Sequence, residues 1–193
     1  PYFTPRCGPE TGPLWERSLN TSYLGRTREG QTNPTVGFFA GCVGSVLFQE
    51  VNRQSIKLLQ HAGCEVVVPP DQGCCGAISH HSGYVEHAVT FAKANIDAFC
   101  DSQGNLKVDM LVSNIAGCGA MLLDYAHLLR HEPSYAKRAA ALSEKVCDIS
   151  QVLVQFLKDR PTYESNHIVT YHDACHLAHA QQVTAPPRQL LNW

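Results

Sequence analysis

From Val36 onward, short apolar runs alternate with longer stretches whose apolar residues recur every three or four positions. Val36-Gly37-Phe38-Phe39-Ala40 reads as a buried strand. Val46 to His61 follows at helical period, with Val46, Leu47, Val51, Ile56, Leu58 and Leu59 apolar, and Gly63 closes it. Glu65 to Val68 is a second strand, stopped by Pro69-Pro70. Val85 to Phe99 places Val85, Ala88, Val89, Ala92, Ile96 and Phe99 on one helical face. Met110 to Val112, extending toward Ile115, is a third strand. Helices are predicted over 121–130, 134–145 and 150–158. Ile168 to Tyr171 reads as a fourth strand and Cys175 to Val183 as the start of another helix.

Strands alternating with helices imply an α/β fold: three layers, a mostly parallel sheet with helices on both faces, Rossmann-like, with right-handed crossovers. The main domain is expected over 35–160. Before it, prolines and glycines interrupt any period, so 1–34 reads as an irregular leader or linker, with one short helical turn around Trp15 and Leu19.

Composition narrows the function. Of the 193 residues, 44% are hydrophobic, enough for a core without disulfides, and the net charge of −2 offers no broad basic surface for nucleic acid. Only 17% are charged, a thin coat that points to surface covered by partners. No apolar run approaches the ~18 residues that span a bilayer, and no signal peptide is visible, so the expected location is cytoplasmic, or peripheral on the inner face of the membrane through a partner. Nine cysteines, an odd number with two adjacent, favour a reducing compartment and a metal or redox site over a disulfide framework.

On these elements Cys42 lies beyond strand one, Cys74 and Cys75 beyond strand two, and Cys118 beyond strand three. Ligands of an open parallel sheet bind outside the carboxyl ends of its strands, so the four thiols are expected at one edge. Cys42 and Cys118 each precede a predicted helix, which should lower their thiol pKa. Gly41, Gly44, Gly73, Gly76, Gly117 and Gly119 flank the cysteines and allow close backbone approach, with N–H groups turned toward a negatively charged group. Cys7, Cys64, Cys100 and Cys147 have no glycine frame and read as small core residues or, for Cys7, as part of the leader. A vicinal Cys74–Cys75 disulfide would need an oxidising step. Four thiolates suit either an iron–sulfur cluster or zinc, but 31 residues between Cys42 and Cys74, and 42 between Cys75 and Cys118, are too many for a zinc finger or ribbon. His80 and His81 follow the paired cysteines, and His172, His176 and His179 surround Cys175; ligation or proton relay competes here with ordinary solvated histidine.

The segments Phe39-Ala40-Gly41-Cys42, Gly73-Cys74-Cys75-Gly76-Ala77 and Ala116-Gly117-Cys118-Gly119-Ala120 resemble the cysteine-rich (CCG) domain family, which includes the cysteine-rich component of heterodisulfide reductase and the iron–sulfur subunits of bacterial glycolate oxidases. So do Ala94-Asn95-Ile96-Asp97-Ala98, Asp124 to Leu129, and His172 to Gln181. The resemblance covers about 36–193. It implies a domain repeated twice, the second copy opening at 161–193 with Cys175 as a ligand position of a further site, and a ferredoxin-like domain on the same full-length chain or on a partner. It implies an electron-transfer role in a glycolate oxidase-like oxidoreductase of 2-hydroxy acids, beside FAD-containing dehydrogenase subunits. The heterodisulfide reductase pattern ends in Cys-x-x-Cys, where this chain has Met121. That departure favours an ordinary [4Fe-4S] cluster on Cys42, Cys74, Cys75 and Cys118 over a noncubane cluster with thiol–disulfide chemistry. A zinc-stabilised interaction module remains the third alternative.

Overall fold

The computed structural model describes residues 33–159 and 167–193. The leader, apart from its last two residues, and the first residues of the expected second unit lie outside the described residues.

Four strands form one parallel sheet: β1 (Thr35–Phe39), β2 (Glu65–Val67), β3 (Met110–Ser113) and β4 (Val146–Asp148), in the order β2-β1-β3-β4. Val36 is level with both Val66 and Met110, and Ser113 is level with Phe39 and Asp148. The period of two sorts the core. Val36, Phe38 and Ala40 face one side with Val66 and Val112, under α2 (Gln49–His61) and α7 (Ile149–Phe156). Phe39 and Leu111 face the other side, under α4 (Val85–Phe99), α5 (Ala116–Leu128) and α6 (Ala136–Ser143). The three-layer α/β architecture expected from the pattern is present.

Three local readings change. The predicted helix from Val46 to His61 is two helices, α1 (Cys42–Leu47) and α2, broken at Phe48. The buried stripe of α2 is Asn52, Ser55, Ile56 and Leu59, while Val46, Leu47, Val51 and Leu58 are exposed. Two polar residues displace apolar ones from the inner face: Asn52 donates to the Ala40 carbonyl at the end of β1, and Asn52 and Ser55 both accept from Asn114, just after β3. A short helix, α3 (Ala77–His81), directly follows the glycine-rich turn, and α5 begins at Ala116 rather than Met121.

The fourth strand is Val146–Asp148, not Ile168–Tyr171. Residues 167–174 carry no regular structure, and Ile168 is fully exposed. A strand needs a neighbour to satisfy its backbone, and no described strand pairs with this one. Asp148 instead both ends β4 and caps α7: it accepts from the Ser150 N–H, while the Gln151 side chain accepts from the Asp148 N–H. The helix expected from Cys175 is a π-helical turn (His176–Ala180), then α8 (Ala185–Leu191). No helix among the described residues is long and apolar enough to cross a membrane.

Candidate metal centre

The strand order places a topological switch between β1 and β3: the chain leaves β1 toward β2 on one side and returns to β3 on the other. Open α/β sheets bind ligands at that point, beyond the strands' carboxyl ends. Cys42 opens α1 there, and Cys118 sits in the first turn of α5, just after β3. Gly41 joins β1 to Cys42 at φ +67°, a conformation that L side chains rarely adopt. A Cβ built on it would lie 3.5 Å from Cys118 Sγ, so the end of β1 and the Cys118 thiol are neighbours.

The paired cysteines are brought in by side chains rather than by strand pairing. Gln72 reaches the end of β1: its Oε1 accepts from the Ala40 N–H (2.8 Å), and its Nε2 donates to the Phe38 carbonyl (3.1 Å). Asn52 of α2 donates to the Ala40 carbonyl (3.0 Å) and accepts from Asn114, just after β3. Below the turn, Asn95 and Tyr125 are fully buried. Asn95 Oδ1 accepts from the Gly73 N–H (2.8 Å), and its Nδ2 donates to the Cys74 carbonyl (2.8 Å) and to Tyr125 Oη (2.9 Å). The Tyr125 hydroxyl donates to the Cys75 carbonyl (2.9 Å).

The four thiols neighbour one another in the order Cys42, Cys74, Cys75, Cys118, close enough for one to shift the next one's pKa. From sequence, the helix start beside Cys42 is expected to lower its thiol pKa, and proximity to another thiol reverses that. Hydrogen bonding to Cys74, with burial, pushes Cys42 far up. Hydrogen bonding to Cys118, with burial, pushes Cys75 up to about 12. Cys74 is held down by its bond with Cys42, but its bond with Cys75 and its burial prevail and raise it. A thiolate in this row sits against other sulfurs, so ionising the set calls for a cation among them.

Backbone amides meet the sulfurs as well. The Gly76 N–H lies 3.4 Å from Cys74 Sγ; Val43 and Ala77 donate likewise to the Cys42 and Cys75 thiols. Amides donating to sulfur are what thiolates bound to iron use. The glycines divide. Gly76, at φ +87° with Ala88 packed against it, serves the sulfur. The Gly73 N–H is taken by Asn95. The Gly119 N–H is spent inside α5, and this glycine makes room for Gln181, whose side chain a Cβ would meet at 2.6 Å. Gly117 faces open space. Donor type, amides and shared location fit an iron–sulfur cluster. Among the described residues no three His, Cys, Asp or Glu side chains converge as a single-ion site.

Residues 36–123 match the profile of the cysteine-rich domain named CCG. This part of the chain is similar to that domain. The chain is 43% identical over 164 residues to the probable glycolate oxidase iron-sulfur subunit of Bacillus subtilis, covering 84% of this chain and 36% of that protein. It is 34% identical over 157 residues to lactate utilization protein A of Halalkalibacterium halodurans and 33% identical to that of Shouchella clausii, covering 81% of this chain and 62% and 63% of those proteins. The chain thus spans between about one third and two thirds of the length of these relatives. No solved structure matches it.

Cys175 is exposed and opens the π-helical turn. That turn packs on the helix that carries Cys118: Leu177 is buried, and Gln181 Nε2 donates to the Ala116 carbonyl (2.8 Å) at the start of α5. Of the histidines, His80, His81 and His176 line a cleft of about 350 Å3 with Asp124 and Met121. The His81 and His176 rings are 6.1 Å apart, while His172 and His179 are exposed. Cys64 and Cys100 are buried core residues, as expected, whereas Cys147 is half-buried and packs against the core. Sequence reasoning gave no role to Gln72, Asn95 and Tyr125. The visible signal was Asn95, a polar residue on the buried stripe of a helix whose other inward positions are apolar.

Proposed function

We propose that Cys42, Cys74, Cys75 and Cys118 hold an iron–sulfur cluster of the four-iron type, and that the chain is an electron-transfer piece of an oxidoreductase acting on 2-hydroxy acids. The observation that carries this reading is the placement of four free thiols at the switch point, with the Gly76 N–H 3.4 Å from Cys74 Sγ. The bound cluster would supply one-electron transfer. The chain's own residues would supply the thiolates, the donated hydrogen bonds and burial on the Cys75 side, all of which set a cluster's potential. The printed names of the relatives, an iron–sulfur subunit of a glycolate oxidase and proteins of lactate utilization, support both the cofactor class and the substrate class. On this reading a partner FAD-containing dehydrogenase oxidises the hydroxy acid, and this chain touches electrons and not substrate.

One feature favours this over the thiol–disulfide rival. Met121, where thiol–disulfide chemistry would want another cysteine, is buried in the core. In the assembled complex, Cys75→Ser or Cys118→Ser is expected to abolish the cluster and electron flow to the acceptor while the partner's flavin is still reduced by substrate. A full cluster in both variants would sink the assignment.

A further inference from the structure

The peptide planes of the paired-cysteine turn have a fixed sense. In a trans peptide the carbonyl and the next residue's N–H point in opposite directions. The Cys74 carbonyl is bound from below by Asn95 Nδ2, so the Cys75 N–H faces away from Asn95. The Cys75 carbonyl is bound from below by the Tyr125 hydroxyl, so the Gly76 N–H faces away from Tyr125, and it lies 3.4 Å from Cys74 Sγ. Gly76 at φ +87° then turns the chain into α3, whose first amide, at Ala77, meets the Cys75 thiol. Asn95 and Tyr125 also bind each other (2.9 Å), and both are wholly buried, so neither can swing away without leaving polar atoms unpaired. Nothing in the core demands these polar groups: the neighbouring inward positions Ala88, Ala92, Ile96 and Leu122 are apolar. What they do is hold two consecutive carbonyls down and two consecutive amides up.

We propose that Asn95 and Tyr125 are positioning residues that direct the Cys75 and Gly76 amides to the sulfur side of the turn and thereby raise the reduction potential of the cluster held there. The proposal rests on the iron–sulfur reading above. Neither residue touches the cluster; each acts through one peptide plane. Donors on the sulfur side stabilise the more negative, reduced state, so losing them lowers the potential.

The test compares wild type, Tyr125→Phe and Ser143→Ala after anaerobic loading with iron and sulfide. Tyr125→Phe removes one oxygen. Ser143→Ala is the control: its hydroxyl donates to the Leu122 carbonyl and accepts from the Ala126 N–H on the same helix, away from the turn. Tyr125→Phe should have a more negative midpoint potential, an altered electron paramagnetic resonance signature in the reduced state, and roughly fivefold faster iron loss to a chelator, the factor expected from one hydrogen bond. Ser143→Ala should lower the thermal midpoint but leave potential and signature in place. A loaded Tyr125→Phe with unshifted potential and signature overturns the proposal alone, as does an equal shift in Ser143→Ala. A wild type that takes up neither iron nor sulfide overturns the underlying reading, and the proposal with it. If Tyr125→Phe does not fold, wild type exchanged into D2O decides: deuterons of the turn amides must couple magnetically to the reduced centre, and their absence overturns the proposal.

Discussion

Single polar side chains do as much at this site as the thiols do. Gln72 alone satisfies the Ala40 amide and shares the Phe38 carbonyl, tying the loop that carries Cys74 and Cys75 to the end of β1. Gln72→Ala should cost about 1–3 kcal/mol, because a buried amide is left unpaired, and this is measurable as a lowered urea midpoint of the cluster-free protein. The cysteines themselves were legible in the sequence, since adjacent thiols between glycines have few other uses. Their helpers were not. Gln72, Asn95 and Tyr125 are ordinary residue types whose partners lie 21 to 50 positions away in the chain, and nothing local encodes those bonds. The Cys42 pKa differs from the sequence expectation for the same reason: a helix end is visible in sequence, whereas the contact between Cys42 and Cys74 appears only once the chain has folded.

At the scale of elements, length decided what could be read. Long periodic helices such as Val85–Phe99 were recovered to the residue. β4 has three residues wedged between two helices, too short to show a period, and Ile168–Tyr171 showed the right composition without a neighbour to pair with. The break at Phe48 and the polar inner stripe of α2 went unread because period alone assigns the apolar positions inward. Tight packing between elements makes two predictions. A Cβ on Gly37 of β1 would meet the Phe99 ring of α4 at 2.9 Å, so Gly37→Ala should cost about 1–3 kcal/mol by overpacking. Asp148→Ala removes the cap of α7 and should cost about 0.5–2 kcal/mol. Chemical denaturation checks both, and neither substitution should change the cluster's spectrum when the protein is loaded.

The whole molecule was legible as a class and not as an arrangement. Alternating strands and helices gave a parallel sheet with both faces covered, but not the order β2-β1-β3-β4, which places the switch point between the strands leading to Cys42 and Cys118. Buried thiols also give the molecule a pH signature. Burial raises Cys64 to about 11 and, together with the Asp148 charge, raises Cys147 to about 12, from an ordinary thiol value near 9. Their folded values lie above their unfolded ones, so the folded state holds protons longer. The stability they contribute is fully present below about pH 9 and is lost as pH rises through 11 to 12. The cluster-free protein, kept reduced, should therefore show a flat urea midpoint near neutrality and a falling one above pH 9. Cys64→Ala with Cys147→Ala should make that decline shallower, the raised Cys42, Cys74 and Cys75 thiols sustaining the rest.

The central claim is that four thiols converging at one switch point exist to hold iron and sulfide. Iron and acid-labile sulfide, counted per chain together with the visible spectrum after anaerobic loading, test it most directly. The account predicts about four of each in wild type, with broad charge-transfer absorption, and loss of that stoichiometry in Cys75→Ser and Cys118→Ser but not in Cys64→Ala. A colourless wild-type chain carrying one zinc ion, or iron retained in full by both serine variants, would contradict it.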